Sequence, residues 1–269
     1  MDDPGQYTAI NRDAWNAVAE RRRASCQPPE FFAAGGSTLE PEETAAMGPV
    51  RGLRLLNLLC SSGNDALSWA ALGASVVGVD ISDVAIRIAT EQATAAGLDA
   101  EFIAADVYDL PAHLQQENFD RVYSTAGIIC WMPDLAEWGR IVARALRPGG
   151  MLLLDEHHPI WELTTLAGAG VRIDGDYFGR STPNAPLTET TPEHSVHAGG
   201  EPLQLDGISF IWPLGDVITA LADAGLRVRQ VTERPSVEMY ASDPTVRSAA
   251  ELDVAGRLPA AYLLVATKD

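Results

Sequence analysis

Leu53-Arg54-Leu55-Leu56-Asn57-Leu58-Leu59-Cys60-Ser61-Ser62-Gly63-Asn64-Asp65, then Ala66-Leu67 and Trp69-Ala70-Ala71-Leu72-Gly73, then Ala74-Ser75-Val76-Val77-Gly78-Val79-Asp80, is the stretch that decides the fold. The first apolar run, bounded by small and turn-forming residues, is a strand buried on both faces. Gly63 supplies a permissive backbone position in the turn that follows. Apolar residues then recur at helical spacing until Gly73 ends the helix. A second strand follows and ends on Asp80, the position where an open parallel sheet puts a ribose-binding acid. The unit reads strand, tight loop, helix, strand and acid.

The loop also says which nucleotide it suits. A dinucleotide pyrophosphate needs a glycine-rich turn and a bare, positive helix start. Leu59 and Ser61 stand where glycine would be wanted, and Asp65 puts a negative charge into the first helical turn. That acid suits a ligand carrying an ammonium and a sulfonium. The loop favours S-adenosyl-L-methionine over NAD.

Outward from this unit, strand and helix patterns alternate. Ser82 can cap a helix that runs to Ala96 and stops at Gly97. Glu101 to Asp106 reads as a third strand ending in an acid, Phe119 to Thr125 as a fourth, and Met151 to Glu156 as a fifth. Between the last two lies a helix from Leu135 to Leu146, closed by the turn signal Arg147-Pro148-Gly149-Gly150. A helix at Pro213 to Ala224, stopped by Gly225, leads to a strand at Leu226 to Thr232. The run from Ala260 to Thr267 closes the chain as a strand expected to be antiparallel. Right-handed crossovers make this an α/β fold, a doubly wound, mostly parallel seven-stranded sheet.

Four segments result: an amino-terminal helical cap over residues 1–50, a core over 51–156, a flap over 157–207, and the rest of the core over 208–269. A further insertion falls at 234–258. In the cap, Tyr7, Ile10, Asn11, Ala14, Trp15, Val18 and Ala19 form one helical stripe that mixes aromatics with a polar residue. This helix is expected to cover the nucleotide pocket with Tyr7 and Asn11, and one of Arg21, Arg22 and Arg23 to meet a carboxylate. The flap is rich in Gly and Pro and lacks periodic apolar runs, as a functional loop or lid does.

With 37 acids against 19 bases in 269 residues, the net charge is −18. Such a surface repels nucleic-acid backbones and anionic membranes, so neither is expected as a partner. Three scattered cysteines without metal-ligand spacing indicate reduced thiols, no metal site and a cytoplasmic protein. No leader pattern or membrane-length apolar run stands out. A homo-oligomer is compatible with the sequence.

The order of these elements resembles the class I S-adenosylmethionine-dependent methyltransferases over roughly residues 50–156 and 208–267. In that family the first strand and loop read hydrophobic-acid-hydrophobic-Gly-Cys-Gly-x-Gly. Here the same positions read Leu56-Asn57-Leu58-Leu59-Cys60-Ser61-Ser62-Gly63, so Asn57 replaces the acid and two glycines are missing. The resemblance implies a cofactor site built from Asn57, Leu58, Cys60, Gly63, Asp80, Ile81, Asp106, Val107, Thr125 and Ala126. In it Asp80 accepts from both ribose hydroxyls. Asp106 and Val107 take the adenine edge, and the methyl donor lies near Thr125 and Ala126. A narrower resemblance rests on Tyr7 to Trp15, the 58–65 loop, Cys130-Trp131-Met132-Pro133-Asp134 and Glu156-His157-His158-Pro159. These are similar to small-molecule methyltransferases of actinobacterial antibiotic pathways, amine N-methyltransferases among them.

His157 and His158 follow the fifth strand at the edge where an acceptor should lie, and stand as candidate catalytic bases. Trp15, Trp131, Trp161 and Tyr177 are candidate substrate-binding aromatics able to form an apolar wall or hold a cation. The expected reaction is methyl transfer to a small metabolite at an amine nitrogen. O- or C-methylation and a nonmethylating member of the same fold stay open as alternatives.

Overall fold

The computed structural model describes residues 4–167, 170–173, 175–179, 207–235 and 256–269. Most of the flap and of the 234–258 insertion therefore lie outside the described residues. The central sheet is built from β1 (Arg54–Leu58), β2 (Ser75–Asp80), β3 (Ala100–Ala104), β4 (Phe119–Thr125), β5 (Leu146–His157), β8 (Leu226–Pro235) and β9 (Pro259–Lys268). Two short strands, β6 (Thr164–Ala167) and β7 (Gly170–Ile173), form a separate antiparallel pair. The seven-stranded sheet has the order β3-β2-β1-β4-β5-β9-β8. The β3 to β5 half is parallel, while β9 runs antiparallel to both β5 and β8.

The near-continuous apolar run of β1 follows from its central place, with β2 on one side and β4 on the other. Alternate side chains feed opposite faces. Leu56 and Leu58 join Val79, Val122, Leu152 and Leu154 under α6 (Leu135–Ala145) and α8 (Leu214–Asp223), where Trp138 and Leu221 are buried. Leu55 points the other way, with Val76, Tyr123, Leu153 and Val265, toward α3 (Pro41–Met47) and Trp69 of α4 (Asn64–Ala71).

Residues 25–50 contain α2 (Pro29–Ala33) as well as α3, because Pro29 opens the turn and Phe32 is buried against Leu67 and Ala93. Two local readings differ from expectation. Arg147 to Gly150 belongs to β5 instead of a turn before it; Leu146 pairs with Phe119 and a register shift is absorbed before Arg121. β3 ends at Ala104, so Asp106 lies beyond the strand and caps a 3₁₀ turn by accepting from Tyr108 N at 2.9 Å.

Helix α1 (Pro4–Arg22) lies against α5 (Asp83–Ala96). Ser82 caps α5 by accepting from Ala85 N at 3.0 Å and donates to Asn16 Oδ1 at 2.6 Å, while Asn16 Nδ2 donates to Asp83 at 2.9 Å. These bonds fix α1 over the carboxyl edge of the sheet. At that edge Gly78 gives the first loop its room. A Cβ built there would lie 2.5 Å from the Phe102 ring and 2.9 Å from Cys60 Sγ. Gly78→Ala should therefore destabilise the protein by roughly 1–3 kcal/mol through overpacking, read as a lower denaturation midpoint at unchanged m-value.

Candidate functional site

Beyond the carboxyl ends of β1, β2 and β4 the connecting loops part, and α1 roofs the gap. The resulting cleft has a volume of about 1050 Å³ including its mouth. It lies where the strand order reverses, with β1 leading outward to β2 and β4 returning on the other side.

The loop after β1 has an unusual backbone. Leu59, Ser61 and Gly63 all have positive φ, at 54°, 49° and 80°. These are the three positions at which the resembled family signature carries glycine. The shape of a glycine loop is thus kept with two side chains added, each in a conformation that costs an L-residue about 1–2 kcal/mol. Ser61 N donates to Asp80 Oδ2 at 2.8 Å, and Ser82 N donates to Asp80 Oδ1 at 2.9 Å. Each Asp80 oxygen keeps acceptor capacity toward the cleft. Burial pushes the Asp80 carboxyl above its ordinary range, against the pull of the amides of Ser82, Ser61 and Ile81.

The opposite lip follows β4. Glu156, buried at the end of β5, accepts from Gly127 N at 2.5 Å, Ile128 N and Ile129 N at 2.8 Å each, and His157 N at 2.6 Å. Four amides on one carboxylate fix Gly127 and Ile128 in the cleft wall beside Thr125 and Ala126. The roof comes from α1. Thr8 donates to Asp106 Oδ2 at 2.9 Å, and Asn11 exchanges two hydrogen bonds with the Ile208 backbone at 2.8 and 3.0 Å. Trp15 meets Trp131 edge to face with centroids 5.3 Å apart, and the Arg22 guanidinium stands 6.0 Å from the Trp15 ring.

Of the residues singled out in the sequence, Tyr7, Asn11, Trp15, Asn57, Cys60, Asp80, Ile81, Asp106, Val107, Thr125, Ala126 and Trp131 line this cleft. Others stand elsewhere. Leu58 is wholly buried in the core, as the inward residue of β1 must be. Gly63 starts α4 and faces Ala89 and Phe102. Asn57, though it reaches the cleft wall, is buried, and its amide donates to Tyr123 O at 3.2 Å, so it also stitches β1 to β4. His158 caps α7 (Pro159–Glu162), its Nδ1 accepting from Ile160 N at 3.1 Å while Nε2 lies 2.9 Å from Glu233. Burial lowers its pKa and Glu233 opposes that. Both ring nitrogens are engaged, which leaves it no place at the cleft. Tyr177 accepts from Leu214 N at 3.3 Å, and neither it nor the half-buried Trp161 reaches the cleft wall. His157 lies in a smaller adjoining hollow that shares Gly127 with the main cleft.

The structure adds lining residues that the sequence reading left out: Thr8, Tyr108, Gly127, Ile128, Met132 and Pro133. Leu59, Ser61, Asp65 and Arg22 also line it, so the arginine triplet contributes its middle member. Asp65 accepts from Thr38 Oγ1 at 2.6 Å, and burial raises its pKa. Among the described residues no cluster of His, Cys, Asp and Glu could hold a metal ion, and no helix is long and apolar enough to cross a membrane.

A family model described as a methyltransferase domain matches residues 55–150. A crystal structure of an S-adenosylmethionine-dependent methyltransferase from Mesorhizobium loti matches with a TM-score of 0.63 and 26% identity, over 85% of this chain and 96% of that one. The chain carries a methyltransferase domain and shares its fold with the S-adenosylmethionine-dependent methyltransferases. The methyltransferase is also 26% identical over 238 residues to a ubiquinone biosynthesis O-methyltransferase of Methylobacterium sp., covering 87% of this chain and 90% of the relative. It is 30% identical over 175 residues to a 27-O-demethylrifamycin SV methyltransferase of Amycolatopsis mediterranei, covering 62% and 61%. Its cofactor is S-adenosyl-L-methionine. The site fits that group: an acid with open lone pairs for vicinal hydroxyls, an aromatic and apolar wall, and one cation and one further acid for a zwitterion.

Two outcomes follow. Asp80→Ala removes the charged acceptor from the cleft and should weaken S-adenosylhomocysteine binding by roughly 1.5–3 kcal/mol in calorimetric titration. An unchanged dissociation constant would take Asp80 out of the site. The second concerns Glu43 behind the wall, which is buried and accepts from Tyr123 Oη at 2.5 Å. Burial raises its pKa to about 7 from an ordinary 4.5. A raised value means that its contribution to stability is complete below about pH 4.5 and is lost as pH rises through about 7. Glu43→Gln should therefore flatten the stability–pH curve across that window, by on the order of 3 kcal/mol. Parallel curves for the two proteins would refute this.

Proposed function

We propose that the methyltransferase acts on a small secondary metabolite, and that the nucleophile is a hydroxyl oxygen whose proton passes to His157. The carrying observation is the place of His157. Its Nδ1 and Cε1 stand 3.6 Å from where a Cβ on Gly127 would project, beside a residue that lines both the donor cleft and the adjoining hollow. When bound, the cofactor supplies an electrophilic methyl group on a sulfonium, open to in-line displacement. The chain's part is to hold the two reactants in line and take one proton, and positioning alone can supply several kcal/mol. In this reading Asp80 holds the ribose, Asp106 and Val107 take the adenine edge, and Arg22 and Asp65 meet the carboxylate and ammonium of the amino-acid end. Thr125, Ala126 and Gly127 form the wall near the methyl group. Helix α1 of the cap over 1–50 covers the acceptor's side of the core formed by 51–156 and 208–269, while most of the flap over 157–207 lies outside the described residues. The names of the two curated relatives, both acting on oxygen, support a hydroxyl acceptor.

The amine acceptor expected from the sequence is the second reading, favoured by the acids around the cleft. Asp65, Asp80 and Asp106 line it with Arg22 as the one cation among the described lining residues. An amine needs only to be neutral when it attacks, so a protein base is dispensable for it. Single-turnover pH–rate profiles of wild type and His157→Ala on matched hydroxyl and amine acceptors separate the two. For a hydroxyl acceptor the variant should lose about 10²–10⁴-fold near neutral pH and recover with added imidazole. A loss below tenfold, vanishing as pH rises, would replace the hydroxyl reading with the amine.

A further inference from the structure

Ser61 has three properties that do not follow from the loop's need to turn. It sits at φ 49°, where a glycine would rest without strain. It lines the donor cleft. Its backbone N–H is held by Asp80 Oδ2 and its carbonyl lies 3.7 Å from Cys60 Sγ, while its hydroxyl makes no hydrogen bond within the described residues. A strained residue kept at a ligand cleft points to a role in the ligand's contacts. We propose that the Ser61 hydroxyl is a donor-site ligand for the nucleoside, hydrogen-bonding the same ribose that Asp80 receives. The ribose is favoured because the peptide unit bearing this side chain is itself bonded to Asp80, which keeps the hydroxyl near that carboxylate. Conformational strain is then exchanged for one polar contact that a glycine loop lacks. Leu59, strained at φ 54° in the same cleft, packs onto the core cluster and needs no such contact.

The proposal rests on the cofactor assignment, and its test keeps the two apart. Wild type, Ser61→Ala and Ser61→Gly are titrated calorimetrically with S-adenosylhomocysteine and with 5′-methylthioadenosine, which has the ribose but no amino-acid end. Both variants should bind both ligands about 3- to 10-fold more weakly, the effect of one neutral hydrogen bond. Without ligand, Ser61→Gly should melt about 2–4 °C above Ser61→Ala, because only glycine relieves the left-handed backbone. Unchanged affinity in Ser61→Ala overturns the proposal, as does a loss confined to S-adenosylhomocysteine, which would move the hydroxyl to the amino-acid end. Equal melting of the two variants would remove the strain on which the inference is built. Failure of the wild type to bind either nucleoside would overturn the cofactor assignment itself, and the proposal with it.

Discussion

The position of β1 is the constraint on which the rest depends. It lies in the middle of the sheet with parallel partners on both sides, so it has no solvent-facing edge and must be apolar on both faces. Parallel partners need crossovers, and right-handed crossovers send β2 and β4 to opposite sides of β1. The loops that follow β1 and β4 are thereby pulled in opposite directions. The cleft is a consequence of chain topology before any side chain is chosen, and α1 has only to roof it.

Much of this was legible because burial and turn chemistry leave marks in one dimension. The two-faced apolar runs gave the strands, Ser82 and Gly97 gave the limits of α5, and Asp80 at a strand end gave one wall of the cleft. What sequence could not give was the direction and partners of side chains near the ends of regular elements. Asn57 and Leu58 are neighbours in one motif, yet Leu58 faces only the core while Asn57 lines the cleft and bonds across to β4. His157 and His158 are adjacent in sequence, yet His157 ends β5 beside the hollow while His158 caps α7 and turns its other nitrogen to Glu233. Thr8 became visible only once α1 was placed over Asp106, a contact spanning 98 residues.

The eroded glycine motif shows the same limit from the other side. By residue type, Leu59 and Ser61 suggest a loop that has abandoned the family shape. The backbone says otherwise, because φ is positive at both and at Gly63. The neighbours over-determine it: Cys60 N donates to Val79 O at 2.9 Å, Gly63 N to Cys60 O at 3.0 Å, and Ser61 N to Asp80. Three hydrogen bonds within a few residues can hold conformations that cost about 1–2 kcal/mol each. A motif written in residue types is thus a proxy for dihedral angles, and the angles can outlast the residues.

Asp80 ends β2, Asp106 follows β3 and Glu156 lies near the end of β5, and each looks like a ligand-binding group in sequence. A carboxylate has about four acceptor sites, so its remaining capacity decides what it can do. Glu156 has four backbone amides, two on each oxygen, and nothing left to offer. Asp80 accepts one amide within 2.9 Å on each oxygen, from Ser61 and Ser82, and Asp106 takes an amide on one oxygen and Thr8 on the other. The first therefore builds the lip, the second keeps capacity enough for a pair of vicinal hydroxyls, and the third, already bonded to the roof, keeps capacity for a further donor. Identical chemistry at equivalent strand ends divides into scaffold and receptor by how many of its own loop's amides each acid has already accepted.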